Sequence, residues 1–151
     1  MNFPVGEVIA KAPLPVDIIT VVTELQKINF NGYLIMSVMG SSFEEGVLFF
    51  REGDFCAGIV ECENINKTFK GDASLDYIIN QTIGKGFFQT VQLTRSQVDL
   101  ITAFDEKLLF LNKINLKELP KLIPSMFRDN FVFLEKNEDV LGKYGLSSLK
   151  K

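Results

Sequence analysis

The sequence predicts an α+β domain in which a mainly antiparallel sheet of four to five strands packs with about three helices. The first observation behind this is the stretch Gly32 to Cys62, which reads as a three-stranded meander. Runs of β-branched and aromatic residues are separated there by turn residues, and Arg51-Glu52-Gly53-Asp54 puts a glycine where a tight hairpin needs positive φ. A second observation is the switch of apolar period on either side of the meander, from two residues to that of a helix. The third is that both faces of the meander are apolar. Tyr33, Ile35 and Met39 fall with Ser37 on one face, and Leu34, Met36 and Val38 on the other. The same counting sets Val47 and Phe49 against Leu48 and Phe50, and Phe55 and Ile59 against Cys56 and Val60. A sheet with one face in water alternates apolar and polar residues, so helices or a second subunit are expected to cover this one on both sides.

Taken in order, Val5 to Ala12 alternates weakly between Pro4 and Pro13, which suits a short strand at the sheet edge. After Pro15, the positions Ile18, Val21, Val22, Leu25 and Ile28 form the stripe of an amphipathic helix over residues 16–30, with Asp17 in its first turn, where the helix dipole favours a carboxylate. Asn64 to Gly71 is polar and turn-rich and is expected to be a loop. Asp72 is the expected N-cap of a helix over 72–83, with Leu75, Ile78 and Ile79 buried and Gly84 as its stop. A strand is expected from Phe87 to Leu93. Thr94 and Gln97 then have the spacing of a capping box, ahead of a helix over 95–111 with Leu100, Ala103, Phe104, Leu108 and Leu111 on one side. Asn115 to Glu118 repeats the box, but Pro120 and Pro124 forbid a long helix, leaving short turns pinned by Leu116, Leu119, Leu122 and Ile123. Phe131 to Leu134 form a small apolar cluster among charged and glycine-containing pieces. A chain of 151 residues suits one domain, since domains usually run about 100–150 residues. The boundaries expected are a single α+β domain over 1–127 and a C-terminal extension, or the start of a linker, over 128–151.

Composition narrows the chemistry. With no His, the chain lacks the commonest general base and metal ligand, so serine–histidine, cysteine–histidine and histidine-ligated metal sites are excluded. A net charge of −3 supplies no basic field for a phosphate backbone, which disfavours nucleic acid. Cys56 and Cys62 lie six apart on one expected strand, on the same face and about 20 Å from each other if the strand is regular, too far to bridge. They read as reduced, metal-free residues of a cytoplasmic protein. No basic n-region with an apolar core marks a signal peptide at Met1-Asn2-Phe3-Pro4, and no apolar run approaches the roughly 20 residues of a membrane span.

The order of motifs is itself distinctive. An amphipathic helix is followed by Phe30-Asn31-Gly32-Tyr33-Leu34-Ile35, by Gly46 to Phe50, and by Gly53-Asp54-Phe55 leading into Ala57-Gly58. Next come a helix beginning at Asp72-Ala73, Gly86-Phe87 before a strand, and Leu93-Thr94 with Gln97-Val98 opening another helix. Over Phe3 to Leu111 this resembles a family of uncharacterised, mostly archaeal proteins whose N-terminal domain is similar to the PATAN-type module of bacterial regulatory proteins. The resemblance implies a regulatory protein-interaction role. Its motifs are glycine and hydrophobic positions, so it brings no catalytic residues.

The remaining chemistry points the same way. Gly40, Gly46, Gly53, Gly58, Gly84 and Gly86 never take the phosphate-binding spacing followed by Lys and Ser or Thr. Glu44, Glu45, Glu61 and Glu63 with Asp54 are the carboxylates that would form an acid pair or a calcium site, and surface turns account for them. Phe43, Phe49, Phe50, Phe55, Phe87 and Phe88 suit base stacking only with a basic surround, which the chain lacks, so a core or a protein interface is the expected use. The function expected is a non-catalytic regulatory or scaffolding protein-interaction module without cofactor or metal, self-associating as a homodimer. The alternative is a small-molecule or nucleic-acid-binding domain. The candidate interaction surface is Phe88 and Phe43, Phe88 being assigned outward with the polar Thr90 and Gln92.

Overall fold

The computed structural model describes residues 3–39, 43–63 and 65–112. Its elements are β1 (Glu7–Pro13), α1 (Ile18–Lys27), β2 (Gly32–Met39), β3 (Phe43–Arg51), β4 (Asp54–Cys62), β5 (Lys67–Lys70), α2 (Asp72–Gln81), β6 (Gly86–Gln92) and α3 (Arg95–Phe104), then a 3-10 turn over Glu106–Leu108. Six strands form one antiparallel sheet in the order β1-β6-β2-β3-β4-β5. The meander β2-β3-β4 is at its centre, and the expected α+β architecture holds. The sheet has six strands where four to five were expected, because Lys67–Lys70 pairs with β4 as an edge strand instead of looping. Its mostly polar residues carry no strand pattern of their own. The expected extension over 128–151, the short turns before it and the cluster Phe131 to Leu134 lie outside the described residues.

Local chemistry explains the element ends. Asp17 is the N-cap of α1, its Oδ1 accepting from the backbone N–H of Ile19 at 3.1 Å and of Thr20 at 3.4 Å. Both bonds of the capping box at Thr94 and Gln97 are made. In the β3–β4 hairpin Glu52 and Gly53 both have positive φ, 49° and 88°, as a type I′ turn requires. Asn31 Oδ1 accepts from the Glu52 N–H at 2.9 Å and supports the non-glycine member. Asp72 is not the cap of α2. Gly71, with φ 64°, takes that place, while the Asp72 carboxylate accepts from the Leu111 N–H and the Asn112 amide, each at 3.0 Å.

The two faces of the sheet are covered differently. On one, α1 and α2 bury Ile18, Val21, Val22, Leu25, Leu75, Ile78 and Ile79 against Leu34, Met36, Leu48, Phe50, Val60 and Phe88. On the other, Val98 and Ile101 of α3 and Leu108 of the 3-10 turn pack on Val47, Phe49, Ala57, Ile59 and Val91. A bulge opposite Phe49 and Phe50 makes β4 spend three residues, Phe55, Cys56 and Ala57, where β3 spends two. Phe55 and Ile59 therefore do not share a face as simple alternation had them. Phe55 packs with the α1/α2 core, and Cys56 and Ile59 with the α3 core. The same shift separates the free cysteines, Cys62 facing α1 and α2 and Cys56 facing α3. Among the described residues, no helix is long and apolar enough to cross a membrane.

Candidate functional site

The α3 face exposes Met39, Phe87, Leu100 and Phe104, while Tyr77 and Ile83 are exposed on and just after α2. Pairing partners line up across the α3 face in rows. Val8, Val91, Tyr33, Phe49 and Ala57 form one, Lys11, Gln89, Ile35, Val47, Ile59 and Lys70 the next, and Pro13, Phe87, Ser37, Glu45, Glu61 and Thr68 a third. Met39 and Phe43 pair beyond it. A ten-residue helix cannot span all of these. It is tied to β3, where Arg51 Nη2 donates to Thr102 Oγ1 at 3.1 Å and Arg51 Nε lies 2.8 Å from Asp99 Oδ1. Beyond the cover of α3, Phe87 is 54% exposed and Met39 63%.

Two sequence expectations are corrected here. Phe88 is 1% exposed, paired with Ala12 and Met36 and buried under α1 and α2, so it is not part of any outward surface. The outward assignment rested on reading Thr90 as solvent-facing, whereas Thr90 is fully buried and its Oγ1 has no hydrogen-bond partner. Phe87, one residue earlier, holds the exposed position. Phe43 is half-buried at the start of β3. The second correction concerns α3, which ends at Phe104, short of the expected 111. It buries Val98, Ile101 and Thr102, while the stripe expected to be buried carries Leu100 at 55% and Phe104 at 83% exposure. Two apolar stripes compete on this helix, and the sheet selects the one that also places Thr102 and Asp99 on Arg51.

Beside those outward residues lies a cleft of about 290 Å³ lined by Phe3, Pro4, Ile59, Leu100, Ile101, Phe104, Asp105 and Leu108. Its other wall is the N-terminal arm. Phe3 sets its ring edge-on to Phe49, with centroids 5.0 Å apart, and tilted to Tyr33 at 5.9 Å. The sequence held no periodic signal for this arm, because one Phe before a proline belongs to no element.

Glu45 and Glu61 face each other across β3 and β4. Burial, reinforced by the Glu61 and Glu63 carboxylates, pushes the Glu45 carboxyl above its ordinary range. Burial and then Glu45 raise the Tyr33 phenol. Glu44 points to the opposite face, where its Oε1 accepts from the Cys62 thiol at 3.3 Å. Burial and that bond push Cys62 up to about 11, and burial raises Cys56 as well. Neither thiol is activated as a nucleophile. Among the described residues, no group of three or more His, Cys, Asp or Glu is placed to hold a metal ion.

The family model of uncharacterized proteins conserved in archaea, DUF2226, matches residues 1–105. The chain belongs to this family. No curated protein and no solved structure matches it. The residues matched to DUF2226 run from the N-terminal arm through α3, and so include the whole sheet and every lining residue of the cleft except Leu108.

Proposed function

We propose that this DUF2226 chain is a non-catalytic regulatory or scaffolding module of the cytoplasm that binds protein, a second copy of itself included, through the α3 face. The observation that carries the reading is the exposure of Leu100 and Phe104 beside the cleft, with Phe87 and Met39 also exposed on the same face of the sheet. Contiguous apolar surface of a few hundred Å² on a folded domain usually marks an interaction site.

The edges of the sheet are poor alternatives. β1 carries a bulge between Val8 and Ala10, then Lys11 and Pro13, and β5 has four residues, two of them lysines. Those are the devices by which proteins blunt an edge against pairing. Glu45 and Glu61 on the same face disfavour a phosphate backbone as the partner. The resemblance to the PATAN-type module of bacterial regulators agrees with a regulatory interaction role.

The test is Phe104→Asp in the full chain. With Phe104 largely outside the core, circular dichroism is expected to stay unchanged while self-association weakens about tenfold or more, the cost of placing a charge in an apolar contact. Unchanged association would remove α3 from the interface.

A further inference from the structure

We infer that the segment Phe131-Val132-Phe133-Leu134 docks on the cleft beside Leu100 and Phe104 of its own chain and competes there with a second copy. Such docking would regulate the interface proposed above, and depends on that reading only for the competition.

The last described residue, Asn112, is fixed near the cleft. Leu109 bridges Ala57, the Phe110 N–H donates to the Cys56 carbonyl at 3.0 Å, and the Asp72 carboxylate holds Leu111 and Asn112. Leu108 lines the cleft. Four residues reach at most about 14 Å, so Asn112 stands no farther than that from this wall. Nineteen residues run from Asn112 to Phe131. Even wound as one helix they would cover about 28 Å, so the reach is ample.

The segment suits this cleft in chemistry and in size. Its four apolar residues stand between Arg128-Asp129-Asn130 and Glu135-Lys136, and gain by leaving water where their neighbours do not. Every residue lining the cleft is apolar except Asp105, whose Oδ2 is held by Lys70 at 2.6 Å. The two hollows lined by Leu111 are poorer seats. Lys70, Asp72, Glu106 and Lys107 line one, Arg51 and Asp54 the other, and apolar cover over charged groups costs free energy. A dry cavity of about 150 Å³ takes one benzene, so the cleft, at about 290 Å³, has room for two rings. In an extended segment Phe131 and Phe133 fall on one side, about 7 Å apart. Tethering also favours the chain's own segment, because it sets an effective concentration on the order of millimolar. If the segment holds the cleft about nine-tenths of the time, only about a tenth of the chains are free to associate.

The experiment uses the full chain with Phe133→p-benzoylphenylalanine, irradiated at low concentration, digested and read by mass spectrometry. The expected product has the mass of one chain and links position 133 to the peptide that holds Leu100 and Phe104. In parallel, the full chain with Phe131→Asp and Phe133→Asp, shown by circular dichroism to keep the fold, should self-associate about tenfold more tightly in sedimentation velocity. Absence of that link, or its appearance only in a product with the mass of two chains, overturns docking within the chain. A double variant that associates no more tightly than a self-associating parent overturns the competition. If the one-chain link forms while parent and double variant both stay monomeric at every concentration, docking stands and the self-association reading falls.

Discussion

Replacing Phe88 and Phe87 separately by Ala should produce very different losses of stability from adjacent positions. Phe88 is fully buried in the α1/α2 core. Truncating a buried Phe costs about 3–5 kcal/mol through lost transfer energy and the cavity left behind. Phe87 points to the other face and is about half exposed, where truncation is usually worth no more than about 0.5 kcal/mol. Against a total stability of about 5–15 kcal/mol, and with a urea slope of about 1.5 kcal/mol per molar, Phe88→Ala should move the unfolding midpoint down by about 2–3 M. Phe87→Ala should leave it almost in place. Equilibrium urea unfolding followed by circular dichroism reads both. Because a slip of one residue exchanges the faces of a strand, equal or reversed losses would refute the register of β6 against β2 and β1.

Other consequences follow from polar groups in the core. Gln81 is buried against Gly46 with neither amide atom hydrogen-bonded, so Gln81→Met should raise stability by about 1–2 kcal/mol in the same urea assay; a loss would mean that the amide is satisfied. The Cys62 thiol, held near 11, leaves about one molecule in a thousand as thiolate at pH 8. Iodoacetamide followed by mass spectrometry should therefore find Cys62 protected in the native chain and modified in denaturant, and rapid native labelling would contradict its burial.

Much of the fold was legible because it is written in local patterns. The meander, the α1 stripe with Asp17 and the Thr94–Gln97 box each depend on residues close in sequence. What escaped depends on partners outside the segment itself. Lys67–Lys70 becomes a strand because β4 offers it an edge, and Asp72 leaves its expected cap role because Leu111 and Asn112 come to it. The phase of β4 is changed by a bulge, which alternation counting passes over. Thr90 misled the assignment of β6 because a buried hydroxyl looks like a surface residue in sequence. For the candidate site, the expectation of an apolar interaction surface carried over as a proposal, but its residues shifted from Phe88 to Phe87, Leu100 and Phe104. The choice between the two stripes of α3 is made by Arg51, on a strand more than forty residues earlier.

The central claim is that the α3 face joins copies of the chain, and sedimentation velocity over a wide concentration range tests it most directly. The parent chain should pass from 17.0 kDa toward twice that mass as concentration rises, while Phe104→Asp keeps the same fold and remains at the lower mass under the same conditions. A parent chain that sediments as a monomer throughout, or a Phe104→Asp chain that associates as readily as the parent, would contradict the claim.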